Sequence, residues 1–219
     1  MTFRNRREAG AKLAVELEPY ALEQPIVLGL PRGGVPVAEE VARALRAPLD
    51  VWVVRKLGAP SNPELGVGAV AEGGFVHLNH GLLKQAKVSD AELARELAVK
   101  EREVEARVEK LRRGAKIPNI RGRTVIVVDD GVAMGATARA AIQALRSLDP
   151  AKLVLAVPVG ATETLASLRK HVDSLVCLLP VENLVAVGAW YDDFNQVSDD
   201  EVLGILKRAR HAPSREAPA

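Results

Sequence analysis

The sequence predicts an α/β fold, a parallel sheet flanked by helices on both faces. Three observations carry this. Apolar, β-branched runs at 26–30, 124–128, 152–159 and 174–179 read as strands buried on both sides. The segments after the first three of these runs read as helices, so strand and helix alternate along the chain. Two of the runs, 26–30 and 124–128, lead into a glycine-containing turn and then a helix. In such sheets ligands bind beyond the C-terminal ends of the strands.

Composition narrows the function classes. The 219 residues allow one large domain, and 48% hydrophobic with 26% charged residues describes a globular chain rather than a disordered one. A net charge of +2 gives no argument for nucleic acid or a membrane surface. No apolar run approaches the roughly 20 residues of a membrane span. Residues Met1–Glu8 lack the apolar stretch of a signal peptide, so a cytoplasmic protein is expected. The single cysteine, Cys177, lies in an apolar run and reads as core.

Residues 4–18 read as an amphipathic helix with Ala11, Leu13, Ala14 and Leu17 on its apolar face. Strand 26–30 runs into Pro31–Arg32–Gly33–Gly34, and a helix follows to about Arg46. The paired glycines let a ligand approach the backbone amides, and Arg32 supplies a cation there. Asp50–Lys56 reads as one strand ending in two cations, Arg55 and Lys56, followed by a Gly-, Pro- and Asn-rich mobile loop over 57–66. Gly66–Ala71 matches a dinucleotide fingerprint in letters only, because no helix follows it. A hairpin pairing Val67–Ala71 with Phe75–Leu78 through Glu72–Gly74 fits better. His77 and His80 lack the further ligands a metal centre needs.

Ser89 and Glu92 form a capping box opening a long helix to about Arg113. Its stripe is Leu93, Leu97, Val104, Val108 and Leu111. Glu96/Lys100 and Glu103/Arg107 stand at i,i+4 spacing, and the helix reads as scaffold or subunit contact. Residues 114–122 link it to strand 124–128. The next helix begins near Gly135 or Ala136, with Ala138, Ala141, Ile142, Leu145 and Leu148 facing the core. A helix follows from Thr162 to about His171, and a terminal helix covers 198–210.

The segment Thr124–Thr137 carries the most chemistry. A buried strand ends in two adjacent carboxylates, Asp129 and Asp130, before the turn Gly131–Val132–Ala133–Met134–Gly135 and a helix N-terminus at Ala136 and Thr137. Converging amides and the helix dipole make an anion site. The two acids would repel a phosphate, so they suit sugar hydroxyls or a divalent cation. Three of the chain's seven aromatics, Trp190, Tyr191 and Phe194, lie within five positions and could stack on a flat ring.

The 124–137 stretch resembles the phosphoribosyl pyrophosphate signature of type I phosphoribosyltransferases, matching at Asp129, Asp130, Gly135 and Thr137. It departs at Met134, where that family carries a small or hydroxyl residue. The resemblance extends over roughly 25–195. It implies a core at about 25–180, hood elements at about 1–20 and 181–210, and a tail at 211–219, in one domain of 219 residues. It implies that Arg32–Gly33–Gly34 is the pyrophosphate loop, which in the family commonly contains a cis peptide. Arg55, Lys56, Gly58 and Pro60 would begin a catalytic loop, with Arg55, Lys56, Asp129 and Asp130 in catalysis. Gly131, Val132, Ala133, Met134, Gly135, Ala136 and Thr137 would cradle the 5-phosphate. Trp190, Tyr191 and Phe194 would meet the acceptor base. Mg²⁺ is the implied cofactor, held by Asp129 and Asp130 directly or through water. The implied partners are phosphoribosyl pyrophosphate and a base, in a homodimer. The implied activity is transfer of ribose 5-phosphate to a nitrogenous base with release of pyrophosphate; a non-catalytic sensor built on the same pocket is the alternative. No Gly-x-Ser-x-Gly elbow supports a hydrolase.

Overall fold

Five parallel strands form the main sheet: β1 (Ile26–Gly29), β2 (Leu49–Val51), β6 (Thr124–Val128), β7 (Lys152–Ala161) and β8 (Ser174–Val181), in the order β2-β1-β6-β7-β8. The computed structural model describes residues 2–115 and 118–211, without the side chains of Pro63, Glu64 and His211. The predicted tail from 212 onward, and positions 116–117 of the predicted linker, lie outside them. β1, β6 and most of β7 are fully buried, which is why their sequences are continuous apolar runs rather than alternating ones.

Helices cover both faces. On one side α1 (Arg6–Leu17), α2 (Gly34–Leu45) and α7 (Asp199–His211) pack with Val27, Ile126 and Val154. On the other, α5 (Ala136–Arg146) and α6 (Thr162–Leu168) pack with Leu28, Val127 and Leu155. The chain goes from β1 outward to β2, then returns to lay β6 against the opposite edge of β1. That reversal is the switch point of the sheet, and a crevice opens there beyond the strand ends. The two glycine turns leave the sheet side by side at this place, one from β1 and one from β6.

The predicted strand over 50–56 is two strands. Trp52 N–H donates to Gly29 O at 3.1 Å, continuing the parallel ladder, whereas Val53 O accepts from Glu72 N–H at 3.0 Å. The chain therefore changes sheets at Trp52–Val53. β3 (Val54–Ala59) pairs antiparallel with β4 (Asn62–Ala71), and β4 with β5 (Phe75–Leu78). The predicted mobile loop over 57–66 is accordingly most of a hairpin, with Gly58 opposite Gly66 at a shift in register. The predicted pairing of 67–71 with 75–78 is present, turning at Glu72–Gly74.

The sheet junction is fastened by Arg112. Its guanidinium is 1% exposed, bonds both oxygens of buried Glu72, and reaches Asp50 at 3.1 Å and Val51 O at 2.7 Å. Arg112 ends α4 (Asp90–Arg112), which opens on the predicted Ser89–Glu92 capping box; the short α3 (His80–Gln85) precedes it. Within α4, Lys100 pairs with Glu103 and Arg107 with Asp199, not in the predicted i,i+4 pairs. Two apolar positions also differ from expectation. Ala11 is exposed, because Gly10 lies against α2 and Ala9 against Phe3 and Val159, and Leu148 lies beyond the end of α5, 38% exposed.

The segment at Phe3 meets the segment Trp190–Asp192 over the sheet. Phe3 N–H donates to Trp190 O at 2.9 Å and Asp192 N–H to Phe3 O at 2.8 Å. Phe3 and Tyr191 pack on Val159, Leu179 and Val187 in a small separate core. Among the described residues no helix is long and apolar enough to cross a membrane.

Candidate functional site

β6 delivers Asp129 and Asp130 to the switch point, directly beside the turn that follows β1. Gly34 closes that turn by donating to Leu30 O at 3.0 Å, and the Pro31–Arg32 peptide is cis. The two turns touch so closely that a Cβ on either glycine of the first would collide with the second. A Cβ on Gly33 would lie 1.9 Å from Asp130 Oδ2, and one on Gly34 2.6 Å from Val128 O. The carboxylates thus lie flat against the Arg32–Gly33–Gly34 backbone.

Burial raises the pKa of both carboxyls, and the neighbouring Asp130 charge raises Asp129 further. A direct bond from Arg6 offsets part of the rise on Asp130, so Asp129 is the more strongly raised of the two. Arg6 comes from the first turn of α1. Its Nε donates to Asp130 Oδ2 at 2.8 Å, its Nη1 donates to Asn195 O at 2.8 Å, and its guanidinium lies 3.8 Å from the centre of the Phe194 ring. Tyr191 donates its hydroxyl to Asp130 O at 2.6 Å. Burial drives the Tyr191 pKa far up, so the hydroxyl stays protonated and remains a donor.

The turn after the acids leads to the N-terminus of α5. Gly135 precedes the helix at φ 73°, a left-handed conformation that glycine adopts without strain, and no side chain caps the helix. The first amides of α5 therefore face outward with the positive end of the helix dipole behind them. Val132 is an exception within the predicted cradle. Its N–H donates to Val159 O at 2.9 Å and its side chain is buried, so it anchors the loop to β7 and offers no donor. Thr164 fixes the loop from outside by donating to Ala133 O at 2.7 Å. Ala136 and Thr137 are exposed, and Met134 is 84% exposed.

A cavity of about 580 Å³ lies between this loop and the small sheet, lined by Lys56, His77, Asp129, Gly135, Thr137 and Gln143 among others. Lys56, Ala69 and His77 form one cross-strand row, so the small Ala69 leaves room between the two longer side chains. Arg55 is the preceding residue on β3 and points the other way, 3.7 Å from Glu103 of α4. The predicted cation pair at a strand end is therefore divided: Lys56 faces the cavity with Asp129, and Arg55 faces α4. Arg32 lies between these regions, 4.0 Å from Asp199.

The aromatic segment also separates by role. Tyr191 is 6% exposed, with Phe3 and Phe194 centred 5.5 and 5.0 Å away, so its ring is enclosed in the small core it shares with Phe3 and is not open to stack on a ligand. Trp190 and Phe194 are only partly buried. Among the described residues no three His, Cys, Asp or Glu side chains gather to hold a metal. Sequence reasoning missed Arg6, Tyr191's bond to Asp130 and the Arg112 knot. Their partners are distant in sequence and no local pattern marks them.

The chain is similar throughout to other proteins. A family model described as the phosphoribosyl transferase domain matches residues 4–193. Two proteins of Mycobacterium tuberculosis strains, both provisionally named phosphoribosyl transferases, are 45% identical over 221 residues, covering 99% of this chain and 49% of their own length. The chain thus spans about half the length of these curated relatives. The crystal structure of TT1426 from Thermus thermophilus superposes with a TM-score of 0.85 at 45% identity, covering 95% of this chain and 99% of that one. The AQ2163 protein of Aquifex aeolicus, 12% identical with a TM-score of 0.51, shares the fold over 84% of this chain and 78% of its own. This chain belongs to the phosphoribosyl transferase domain family.

Proposed function

We propose that the protein transfers ribose 5-phosphate from phosphoribosyl pyrophosphate to a nitrogenous base and releases pyrophosphate. The observation that carries this reading is the placing of the Asp129–Asp130 pair between two anion sites. On one side is the uncapped N-terminus of α5; on the other is the Arg32–Gly33–Gly34 turn. A sugar with a phosphate at each end fits that order, its hydroxyls against the carboxylates and its phosphates against the amides and Arg32.

In this reading the backbone of Gly131 and of Ala133–Thr137 holds the 5-phosphate, while Asp129 and Asp130 take the ribose hydroxyls. The bond from C1 to the pyrophosphate oxygen breaks early, and positive charge develops at C1 and the ring oxygen, as in glycoside cleavage. The carboxylates beside the ribose favour that charge. Arg32 and Lys56 offset the charge gathering on the leaving group. The acceptor nitrogen then bonds to C1 and gives up its proton. Trp190 and Phe194 cover the acceptor, and the hood excludes water from the cationic centre.

Two neighbouring carboxylates suit Mg²⁺, which binds through one or two carboxylates, waters and substrate phosphates rather than a closed protein cage. Burial raises both their pKa values, and a cation beside the pair would favour the ionised forms, which supports this fit. Asp129 and Asp130 would hold the ion, which when bound supplies neutralisation of the departing pyrophosphate.

The test is incubation with phosphoribosyl pyrophosphate, Mg²⁺ and a panel of purine and pyrimidine bases, reading pyrophosphate release. Release with at least one base supports transfer. Tight binding of the donor with no release for any base supports the sensor reading instead.

A further inference from the structure

A second cavity, of about 510 Å³, opens at the other end of α5 from the phosphate cradle, a size typical of small-molecule sites. Trp52, Phe75 and Ile120 line it, together with Ala144 and Leu148 at the end of α5 and the Glu72–Gly74 turn of the small sheet. Its charged residues are already matched: Glu72 is held by Arg112, and Arg121 at the rim stands 3.5 Å from Asp149. Two features mark the wall as unfinished. Trp52 is 1% exposed, and its indole Nε1 is buried with no hydrogen-bond partner among the described residues. Buried polar atoms are nearly always paired, so such a donor beside a cavity calls for an acceptor. The turn also leaves its space open, since a Cβ on Gly73 or Gly74 would meet nothing within 4 Å.

The same two walls enclose this cavity and the one at the cradle. Phe75 and His77 alternate on β5 and so share a face; Phe75 lines the second cavity and His77 the first. On the facing helix Gln143 lines the first cavity and its neighbour Ala144 the second. Gln143 Oε1 is likewise buried without a hydrogen-bond partner among the described residues. The contact between α5 and the small sheet therefore has a cavity and an unpaired polar atom toward each end. A molecule seated at one end shifts the balance of packing at the other.

We propose that the second cavity binds a flat, uncharged heteroaromatic molecule carrying a hydrogen-bond acceptor, and that this effector weakens binding at the phosphate cradle. The matched charges leave nothing to hold an ion. The rings of Trp52 and Phe75 suit a planar ligand, and the Trp52 N–H suits a carbonyl or ring nitrogen on it. Seated between Phe75 and Ala144, the ligand wedges the small sheet from α5 and draws Lys56 and His77 back from the cradle. The binding does not depend on the transferase reading; the effect on the cradle rests on it.

Caffeine is the probe, being planar, uncharged, rich in acceptors and without an N–H to give up to a ribosyl bond. Trp52 and Trp190 are the chain's two tryptophans, so a proton–nitrogen NMR spectrum of the full chain holds two indole N–H signals, which Trp190→Phe assigns. Caffeine is expected to move the Trp52 signal with a dissociation constant of about 1 mM or tighter. Naphthalene-2-sulfonate, flat but anionic, should bind at least about tenfold more weakly, since its charge finds no partner. By calorimetry Trp52→Phe, which keeps a ring and drops the donor, should weaken caffeine about fivefold, the worth of one neutral hydrogen bond. Leu148→Ala, at a partly exposed position that tolerates change, should weaken it about threefold. Saturating caffeine should weaken ribose 5-phosphate about threefold, an ordinary coupling between sites. The inference is overturned if caffeine up to about 10 mM leaves the Trp52 signal in place. It is equally overturned if caffeine binds the wild-type chain and Leu148→Ala alike, because it then sits elsewhere. Unchanged ribose 5-phosphate affinity under caffeine would refute the effector role. Failure of ribose 5-phosphate to bind the wild-type chain would instead remove the cradle of the proposed function, while the Trp52 signal still decides the cavity.

Discussion

Arg6 and Asp130 stand 124 positions apart and meet at 2.8 Å, with the guanidinium sandwiched between the carboxylate and the Phe194 ring. Through this contact the first helix, the β6 turn and the segment before α7 become one assembly. Arg6 is the group that makes a second buried carboxylate tolerable, since a close cation favours the ionised form. Arg6→Ala should therefore raise the Asp130 pKa further and free Phe194. The expected loss is on the order of 1–3 kcal/mol of stability. Denaturant melts and a carbon-detected NMR titration of the Asp130 carboxyl measure the two effects separately.

Asp129→Asn should do the reverse to stability. A carboxyl whose folded pKa is raised stabilises the fold while protonated and costs stability as pH rises through that pKa. Above the ordinary carboxylate range, then, ionising buried Asp129 costs the fold stability. The asparagine variant should melt higher at neutral pH, by about 2–4 °C for each kcal/mol recovered in a chain of this size. The difference from wild type should shrink as the pH falls toward 4. Scanning calorimetry between pH 4 and 8 reads this directly; a variant that melts lower at neutral pH would refute it.

Gly33→Ala and Gly34→Ala should differ in kind. At Gly33 the new methyl meets the end of the Asp130 side chain, which can swing away only by leaving Arg6. At Gly34 it meets Val128 O and Asp129 Cα, backbone atoms of β6 and its exit, which cannot move alone. Gly33→Ala is thus expected to fold while losing ribose 5-phosphate affinity by about tenfold or more. Gly34→Ala should cost about 1–3 kcal/mol of stability, as overpacking does. Paired urea melts and ligand titrations distinguish them.

Arg112→Ala should be the most damaging change outside the site. It strands buried Glu72, whose pKa burial already raises, and leaves Val51 O without its donor. Removing one partner of a buried pair typically costs about 3–5 kcal/mol. Urea unfolding should show that loss, and because the knot joins the two sheets, the small sheet's amides should lose protection from hydrogen exchange most.

The acids, their glycine turn and the following helix were legible because everything they need is contiguous: an apolar strand, two carboxylates, Gly135 and an amphipathic helix. The alternation of strands and helices likewise predicted the parallel sheet and the switch-point crevice. The break at Trp52–Val53 was not legible. Valine and tryptophan suit either sheet, and the choice is made by Gly29 O on one side and Glu72 N–H on the other. The 57–66 segment looked mobile from its glycines and prolines, yet β4 gives it a partner. Arg55 and Lys56 looked like a matched pair because adjacency in sequence hides that neighbours on a strand face opposite ways. Arg6 was invisible as a site residue, and Tyr191 was read as facing the acceptor base rather than as the donor to Asp130 O, because both roles depend on the segments around Arg6 and Tyr191 closing over the end of β6.

The place of the ribose between Asp129 and Asp130 is tested most directly by calorimetry with phosphoribosyl pyrophosphate and Mg²⁺. The chain carrying both Asp129→Asn and Asp130→Asn keeps the cradle, the Arg32 turn and the shape of both side chains. Its binding should be lost or weakened at least a hundredfold, roughly the worth of two charged hydrogen bonds. A dissociation constant equal to that of the wild-type chain would place the sugar elsewhere.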